Sequence, residues 1–407
     1  MNKPPAGRKK ISNAPEMHLT TRVALEAVAA LGTVASLSFH LLSAFGLISF
    51  LADSRKKSRQ PIVPDSQLPP VSILKPLKGV DPEIWESFVS HCEQDYPEFQ
   101  IVFGVSDPGD PAIEVVRRLQ AKYPKRQIEL IDCRRILGTN VKVSNLVQML
   151  PAAHHEMLLV DDSDIRVPQG YLRRVTAPLR DDSVGLVTCL YRGVASRSLG
   201  SRLEALGISM DFVPGVLSAR VVERGIHFAL GSTMVFRRSD LAAIGGFEVL
   251  LDYLADDYEL GQRISARGKS VELSDVPVDT FLPAYSFRQF VDHQLRWARS
   301  VRDARRWGYL GIALTFGLPW CIALLLAARG APWAWALCAA TMAARVVVGL
   351  AASLTVLRDR QALRNIFLLP VRDLLAPLVW AASFAGHQIH WRGDVFYLKD
   401  GRLARIP

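Results

Sequence analysis

The sequence predicts an α/β domain with a mainly parallel sheet, accompanied by transmembrane helices, one N-terminal and about three C-terminal. Three observations carry this. Short apolar runs alternate with helical patterns between residues 71 and 285, the arrangement of a parallel sheet joined by right-handed crossovers. Ala27 to Ala52 holds no charged residue, and apolar stretches return in the last hundred residues, long enough to cross a bilayer. The run Met157-Leu-Leu-Val160 stops abruptly at Asp161, Asp162 and Asp164, as a buried strand does when it ends at the ligand-binding edge of an open sheet.

Taken in order, residues 1–26 carry Lys3, Arg8, Lys9, Lys10 and Arg22 with prolines and read as a polar basic tail. Residues 27–52 follow as an anchor. The basic segment after it, Asp53 to Arg59, is not a signal-peptide cleavage site. Residues 53–70 form a linker, with four prolines between Ser58 and Pro70. In the α/β region the strands are expected at Val71–Leu74, Gln100–Val105, Ile128–Ile131, Glu156–Val160, Val184–Leu190 and Gly231–Phe236. Helices are expected over Pro82–Glu93, Pro111–Lys122, Val141–Leu150, Leu199–Val222 and Tyr253–Arg267. Ile244-Gly-Gly-Phe247 reads as a tight turn. Residues 286–308 place Phe287, Phe290, Val291, Leu295 and Ala298 on one helical face with arginines between them, as in a helix lying at a membrane interface or a helix packed on a core. Spans are then expected at Tyr309–Ala328, Ala331–Leu357 (with Arg345 inside it) and, more weakly marked, Leu374–Ile389, within a membrane region 309–390. Residues 391–407 read as a tail.

Composition narrows the function classes. A chain of 407 residues with formal net charge +10 would suit nucleic acid, anionic lipid or a phosphate-bearing substrate. Much of the charge flanks apolar segments (Arg55, Lys56, Lys57, Arg59; Arg358, Arg360, Arg364), which favours membrane orientation, and no zinc-finger spacing or basic stacking helix points to nucleic acid. The five cysteines are widely spaced with no Cys-x-x-Cys, consistent with a reducing compartment for the middle of the chain.

Four groups have chemical potential. Asp107 follows the second strand. Asp162 and Asp164 follow the fourth; two residues apart in an extended chain, they converge and need a positive charge between them, which a hard divalent cation bridging phosphates supplies. The alternative is an acidic turn that caps a helix. Asp256 and Asp257 open a helix, where acids are also favoured by the macrodipole. His293-Gln-Leu-Arg296-Trp297 lies on the interfacial helix, where Trp is also a headgroup anchor.

Their order resembles that of the processive-type, inverting glycosyltransferases of the GT-A fold, and more closely the ceramide glucosyltransferase family with its bacterial relatives. The resemblance runs from Val71 to about Arg302 through Leu74-Lys-Pro-Leu-Lys-Gly-Val-Asp-Pro82, Asp95-Tyr-Pro97, Asp107, Asp110-Pro-Ala-Ile113, Lys142-Val-Ser-Asn145, Asp162-Ser-Asp-Ile-Arg-Val167, Leu254-Ala-Asp-Asp-Tyr258 and Arg296-Trp297. It implies a GT-A catalytic domain over 71–285 and transfer of a sugar from a UDP donor to a hydroxyl of a membrane lipid. Asp107 would contact the uracil or ribose, and Asp162 and Asp164 would hold Mg²⁺ or Mn²⁺ on the diphosphate. Lys142, Asn145 and His293 would lie by the nucleotide. Asp257 would be the general base with Asp256 raising its pKa, Arg296 would pair with the diphosphate, and Trp297 would help close the site. It further implies an integral protein of a bacterial inner membrane with the catalytic domain cytoplasmic, acting on donor and lipid without nucleic acid.

Two departures bear on the acceptor. His293 stands where the wider family has Gln or Arg, and Leu203 to Val222 lacks the His-Pro pair of the animal ceramide enzymes. Cys189-Leu-Tyr-Arg-Gly193 and Gln294-Leu-Arg-Trp-Ala-Arg299 resemble the hopanoid branch, which places N-acetylglucosamine on bacteriohopanetetrol. N-acetylglucosamine to a hopanoid polyol and glucose to ceramide both stand as expectations. A processive polysaccharide synthase and a non-catalytic nucleotide-sugar-binding membrane protein remain the rivals.

Overall fold

The computed structural model describes residues 14–59, 63–391 and 394–405. Residues 1–13 of the expected basic tail, and Arg392, Gly393, Ile406 and Pro407 of the C-terminal one, lie outside that set.

Eight strands build one sheet: β1 (Val71–Leu77), β2 (Phe99–Val105), β3 (Gln127–Asp132), β4 (Met157–Val160), β5 (Ile165–Arg166), β6 (Val184–Val194), β7 (Met234–Arg237) and β8 (Ser270–Phe281). Their spatial order is β3-β2-β1-β4-β7-β6-β8-β5. β3, β2, β1 and β4 are mutually parallel, as the alternation of strands and helices requires. β7 enters antiparallel to both β4 and β6, and β6 then pairs in parallel with β8. The twelve-residue β8 was not visible in the sequence, because Glu272, Ser274, Asp275 and Asp279 interrupt its apolar residues.

The sheet is covered on both faces, and the two-residue period assigns side chains to each. Val71 and Ile73 of β1 join one core with Phe88, Ile101, Phe103 and Leu159. Leu74, Val102, Leu158 and Phe236 join the other. That second core also takes in Leu47 and Phe50 of the N-terminal helix and Ala352 and Val356 of the helix Pro332–Thr355. The apolar helices are thus packed into the sheet domain.

Four helices among the described residues are long and apolar enough to cross a membrane: Thr21–Ser58, Leu199–Val222, Pro332–Thr355 and Gln361–Ser383. The expected span 309–328 is instead a pair, Arg306–Thr315 and Gly317–Ala327, bent by 53°. The last span sits upstream of its expected place: helix ends at Ser383, and Gln388–Trp391 is already a strand. The N-terminal helix begins at Ala14, within the stretch read as a polar tail.

Helix Leu199–Val222 widens to a π-helical segment at Ile208–Phe212. Pro214 has no N–H to offer the Met210 carbonyl four residues earlier, and the Arg345 guanidinium donates to that carbonyl at 2.5 Å. Arg345 also pairs with Asp211 and, at 2.9 Å, with Asp373, while Arg372 reaches Asp211 at 3.1 Å. The isolated arginine of the apolar span is therefore a neutralised part of a buried polar network, as intramembrane charges require.

Residues 388–405 form a three-stranded antiparallel sheet, Gln388–Trp391, Asp394–Lys399 and Arg402–Arg405. Its second turn puts Asp400 (φ 50°) and Gly401 (φ 75°) in the left-handed region, as a tight hairpin demands.

Candidate active site

The C-terminal ends of β1, β2 and β4 open on one edge of the sheet, where open α/β folds bind ligands. Asp107 sits there beyond β2, exposed, its carboxylate accepting from the Gly109 N–H at 2.9 Å. Beyond β4 the chain does not continue extended. The Ile165 N–H donates to the Asp162 carbonyl at 3.3 Å, so a turn, not strand alternation, brings Asp162 and Asp164 near each other.

The three aspartates of this stretch have different surroundings. Asp161 points inward, accepting from His91 Nε2 at 2.7 Å and from the Tyr171 hydroxyl at 3.1 Å. Burial first, and then the neighbouring Lys75, lower the pKa of His91 against the hydrogen bonds to Asp161 and the Ser87 carbonyl that raise it. Asp162 is the most open, with Lys142 Nζ 2.9 Å from its Oδ1. Asp164 accepts from the Thr280 hydroxyl of β8. Burial first, and the Asp162 charge second, push its carboxyl up to about 6. Lys75, wholly buried in β1, donates to the Asp162 carbonyl at 2.9 Å. Burial lowers its pKa against the opposing charges of Asp161, Asp164, Asp162 and Asp81.

Lys142 joins this edge to the second acidic pair, lying 3.2 Å from Asp256 Oδ2. Burial acts to lower its pKa, but Asp162, Asp256 and Asp257 outweigh that and raise it, so it remains an ammonium. Asp257 accepts from the Gly231 N–H at 2.7 Å and from the Tyr258 N–H at 2.8 Å. Burial and then Asp256 push its carboxyl up to about 6, with Lys142 opposing. Gly231 marks where these groups meet: a Cβ there would lie 3.2 Å from Asp162 Oδ2, 3.3 Å from Asp257 Oδ2 and 3.7 Å from Lys142 Nζ. Any side chain would fill the cradle between the two carboxylates.

Asn145 does not reach this cluster. It is 2 % exposed, and its Nδ2 donates to the Gly104 carbonyl at 3.5 Å inside the domain. The residue of that helix that serves the site is its N-cap, Asn140. Its Oδ1 accepts from the Val143 N–H at 3.2 Å, and its Nδ2 donates to the Tyr253 carbonyl at 2.8 Å. One side chain thereby fixes both Lys142 and the approach to Asp256. Sequence reasoning missed it, although Asn before Val-Lys-Val at a helix start is a recognisable cap.

The terminal motif packs on the helix Leu199–Gly207. His293 Nδ1 lies 3.0 Å from Oε2 of the buried Glu204, and its ring stacks on Tyr285. Trp297 lies 5.2 Å from the His293 ring and packs beside Ala205, Ile208 and Leu282. His293 thus faces Glu204, not the aspartates. Two half-buried tyrosines, Tyr191 and Tyr285, feel both the motif and the acidic edge. Tyr191 is raised by burial and then by Asp257, Glu204, Asp162 and Asp164. Tyr285 is raised by burial and Glu204, with Arg296 opposing and Asp164 adding. Arg296 and Asp164 thus act in opposite senses on the Tyr285 hydroxyl.

The model of glycosyl transferase family 21 matches residues 37–404, nearly the whole chain. The chain belongs to glycosyl transferase family 21. Ceramide glucosyltransferase 3 of Caenorhabditis elegans is 27% identical over 281 residues, covering 65% of this chain and 58% of that protein. A ceramide glucosyltransferase of Komagataella phaffii is 32% identical over 143 residues, 33% of this chain and 27% of that protein. The chain spans less than two thirds of the length of the curated relatives it matches. Among solved structures, a mannosyltransferase from Pyrobaculum calidifontis in complex with GDP-Man and Mn²⁺ aligns with TM-score 0.50 at 20% identity, over 87% of this chain and 97% of that one. The α/β domain of this family 21 member thus has the GT-A fold expected of it.

One feature of the family 21 chain had no sequence signal. The C-terminal three-stranded sheet docks on the loop just before Asp256. The Leu403 N–H donates to the Asp252 carbonyl at 2.7 Å, and the Leu254 N–H to the Gly401 carbonyl at 3.1 Å. Leu254 packs with Ile389, Phe396, Leu398 and Leu403. Thr139, beside Asn140, donates its hydroxyl to both Asp252, at 2.9 Å, and the Leu403 carbonyl, at 3.1 Å. The stretch read as a tail braces the loop that presents Asp256 and Asp257.

Proposed function

We propose that this protein is an integral membrane glycosyltransferase that moves one sugar from a UDP-sugar to a hydroxyl of a membrane lipid, with inversion at the anomeric carbon. The observation that carries the proposal is the convergence of Asp162, Lys142 and Asp257 around Gly231, in a chain of family 21 whose apolar helices pack into the same domain.

The donor lies across the C-terminal edge of the sheet, its nucleoside toward Asp107 and its diphosphate toward Asp162. The residues fit a divalent cation. The Asp164 carboxyl is held up first by burial and then by the Asp162 charge, and a cation would relieve the second. The turn after β4 brings Asp162 and Asp164 near each other, and one or two carboxylates plus phosphates are a usual donor set for such an ion. Asp162 and Asp164 would hold Mg²⁺ or Mn²⁺, which when bound offsets charge on the departing UDP. Asp257 takes the proton of the acceptor hydroxyl. Held up to about 6 by burial and Asp256, it is ionised at neutral pH yet basic enough for that proton. The freed oxygen attacks the anomeric carbon, and the bond to the UDP oxygen breaks. Arg296, a permanently charged fork, pairs with the diphosphate. Trp297 and His293 hold the terminal helix against Leu199–Gly207.

The named relatives favour glucose and ceramide. The Cys189–Gly193 and Gln294–Arg299 sequences favour N-acetylglucosamine and a hopanoid polyol. The catalytic domain is assigned to the cytoplasm of a bacterial cell, where the donor is made, with the helices in the inner membrane. The test is product formation by detergent-purified protein with Mn²⁺, pairing UDP-glucose and UDP-N-acetylglucosamine against ceramide and bacteriohopanetetrol, with products weighed by mass spectrometry. Transfer within one pair fixes donor and acceptor. UDP binding without product in all four would refute lipid glycosylation of these two classes.

A further inference from the structure

A second polar site lies past the end of β6, away from the aspartates. A cavity of about 280 Å³ is lined there by Ser196, Arg197, Arg202, Gln361, Arg364 and Phe367. Three guanidiniums face one cavity, and among the described residues none of the three side chains has a hydrogen bond or ion pair. Arg197 and Arg364 are exposed and Arg202 is half-buried, so the cavity presents their donors to solvent, whereas Arg192, Arg237, Arg345 and Arg372 each hold a carboxylate. The nearby carboxylate, Asp359, is 1 % exposed and committed to the Gln361 N–H and the Ser209 hydroxyl. Among the described residues it makes no ion pair with any of the three guanidiniums, so their donors stay free for a ligand. The helix Leu199–Gly207, capped by Ser198, begins at its edge and adds its positive end.

The surroundings are those expected at a boundary between headgroups and hydrocarbon. It lies where the candidate span Gln361–Ser383 begins. Leu199, Leu363 and Phe367 beside it are 50 %, 47 % and 65 % exposed, and Leu374 and Leu378 continue the exposed apolar surface along that span. Unpaired arginines above exposed apolar side chains match a molecule with an anionic phosphate above acyl chains. We propose that this cavity binds the phosphate of an anionic phospholipid, whose chains lie along Leu363 and Phe367, as a site separate from the one that transfers sugar. The inference needs only that the helices lie in a bilayer and is independent of which sugar is moved.

The test uses the full chain in detergent and in nanodiscs of phosphatidylcholine alone or mixed with phosphatidylglycerol. Native mass spectrometry counts phosphatidylglycerol retained, and a fluorescent phosphatidylglycerol gives its affinity. Each arginine removed should weaken binding about fivefold, so the triple variant Arg197→Gln, Arg202→Gln, Arg364→Gln should lose roughly 100-fold. Arg364→Glu alone, at an exposed position that does not threaten folding, should also weaken it. The control Arg55→Gln, Lys56→Gln, at a different basic cluster, should bind as the wild type does. Unchanged phosphatidylglycerol affinity in both the triple variant and Arg364→Glu would overturn the proposal. Full displacement of the lipid by inorganic phosphate at sub-millimolar concentration would overturn the lipid assignment in favour of a free-phosphate site.

Discussion

Replacing either neighbour of Asp257 should move the acid limb of activity in opposite directions. Asp257 stands at about 6 against an ordinary 3.8, a difference worth about 3 kcal/mol at 1.36 kcal/mol per pH unit. Burial is the first cause and the Asp256 charge the second, with Lys142 pulling the other way. Asp256→Asn removes a like charge, so the proton leaves Asp257 more easily and the limb falls to about pH 5. Lys142→Met removes the ammonium lying 2.9 Å from Asp162 and 3.2 Å from Asp256, so the limb rises above pH 6. A base works ionised, so activity in each case is present above the limb and lost below it. The assay is kcat against pH at saturating donor, by UDP release. Stability gives a second reading of the same sign. Lys142→Met leaves buried carboxylates uncompensated and should cost about 3 to 5 kcal/mol at neutral pH. Without Lys142 the folded pKa of Asp257 stands further above its unfolded one, so the folded state takes up that proton first, and the deficit should shrink as pH falls from about 7 toward 4. Limbs that move together, or do not move, would refute the assignment of Asp257 as the titrating base.

Other outcomes follow from the same geometry. Asp257→Asn should lower turnover by at least about 10²-fold while UDP affinity, read by calorimetry, stays within a few-fold. Phe396→Ala, emptying a side chain 2 % exposed in the C-terminal sheet, should cost that sheet about 3 to 5 kcal/mol. It should lower kcat more than it raises the donor KM, with proteolysis of residues 388–405 accelerated. Arg345→Met should strand Asp373, leave Asp211 to Arg372 alone and lower stability in detergent by about 3 to 5 kcal/mol, seen as a lower Tm, with Asp373→Asn added to it restoring part of the loss.

Much of the α/β half was legible because it is local. Buried strands such as Met157–Val160 and helices such as Ala112–Lys122 declare themselves through apolar runs and caps. The aspartates of the edge were visible for the same reason: carboxylates ending an apolar run need an explanation. What stayed hidden depends on contacts distant in sequence. Asn145 and Lys142 lie on one short helix, and only tertiary packing turns the former inward to Gly104 and the latter to Asp162 and Asp256. Tyr191, Asn140 and Gly231 acquire their places from elements far along the chain. The strands of residues 388–405 alternate too briefly, among charges, to be told from a tail. Arg345 announced a need for a partner, but its partners Asp211 and Asp373 lie 134 and 28 residues away.

The most direct test of the central claim is the anomeric configuration and sugar count of the glycolipid made by the purified protein, read by proton NMR and mass spectrometry. Single displacement assisted by Asp257 predicts one sugar per lipid, in β linkage from an α-linked UDP donor. A retained α linkage, a polymer, or UDP release that does not require lipid would contradict it.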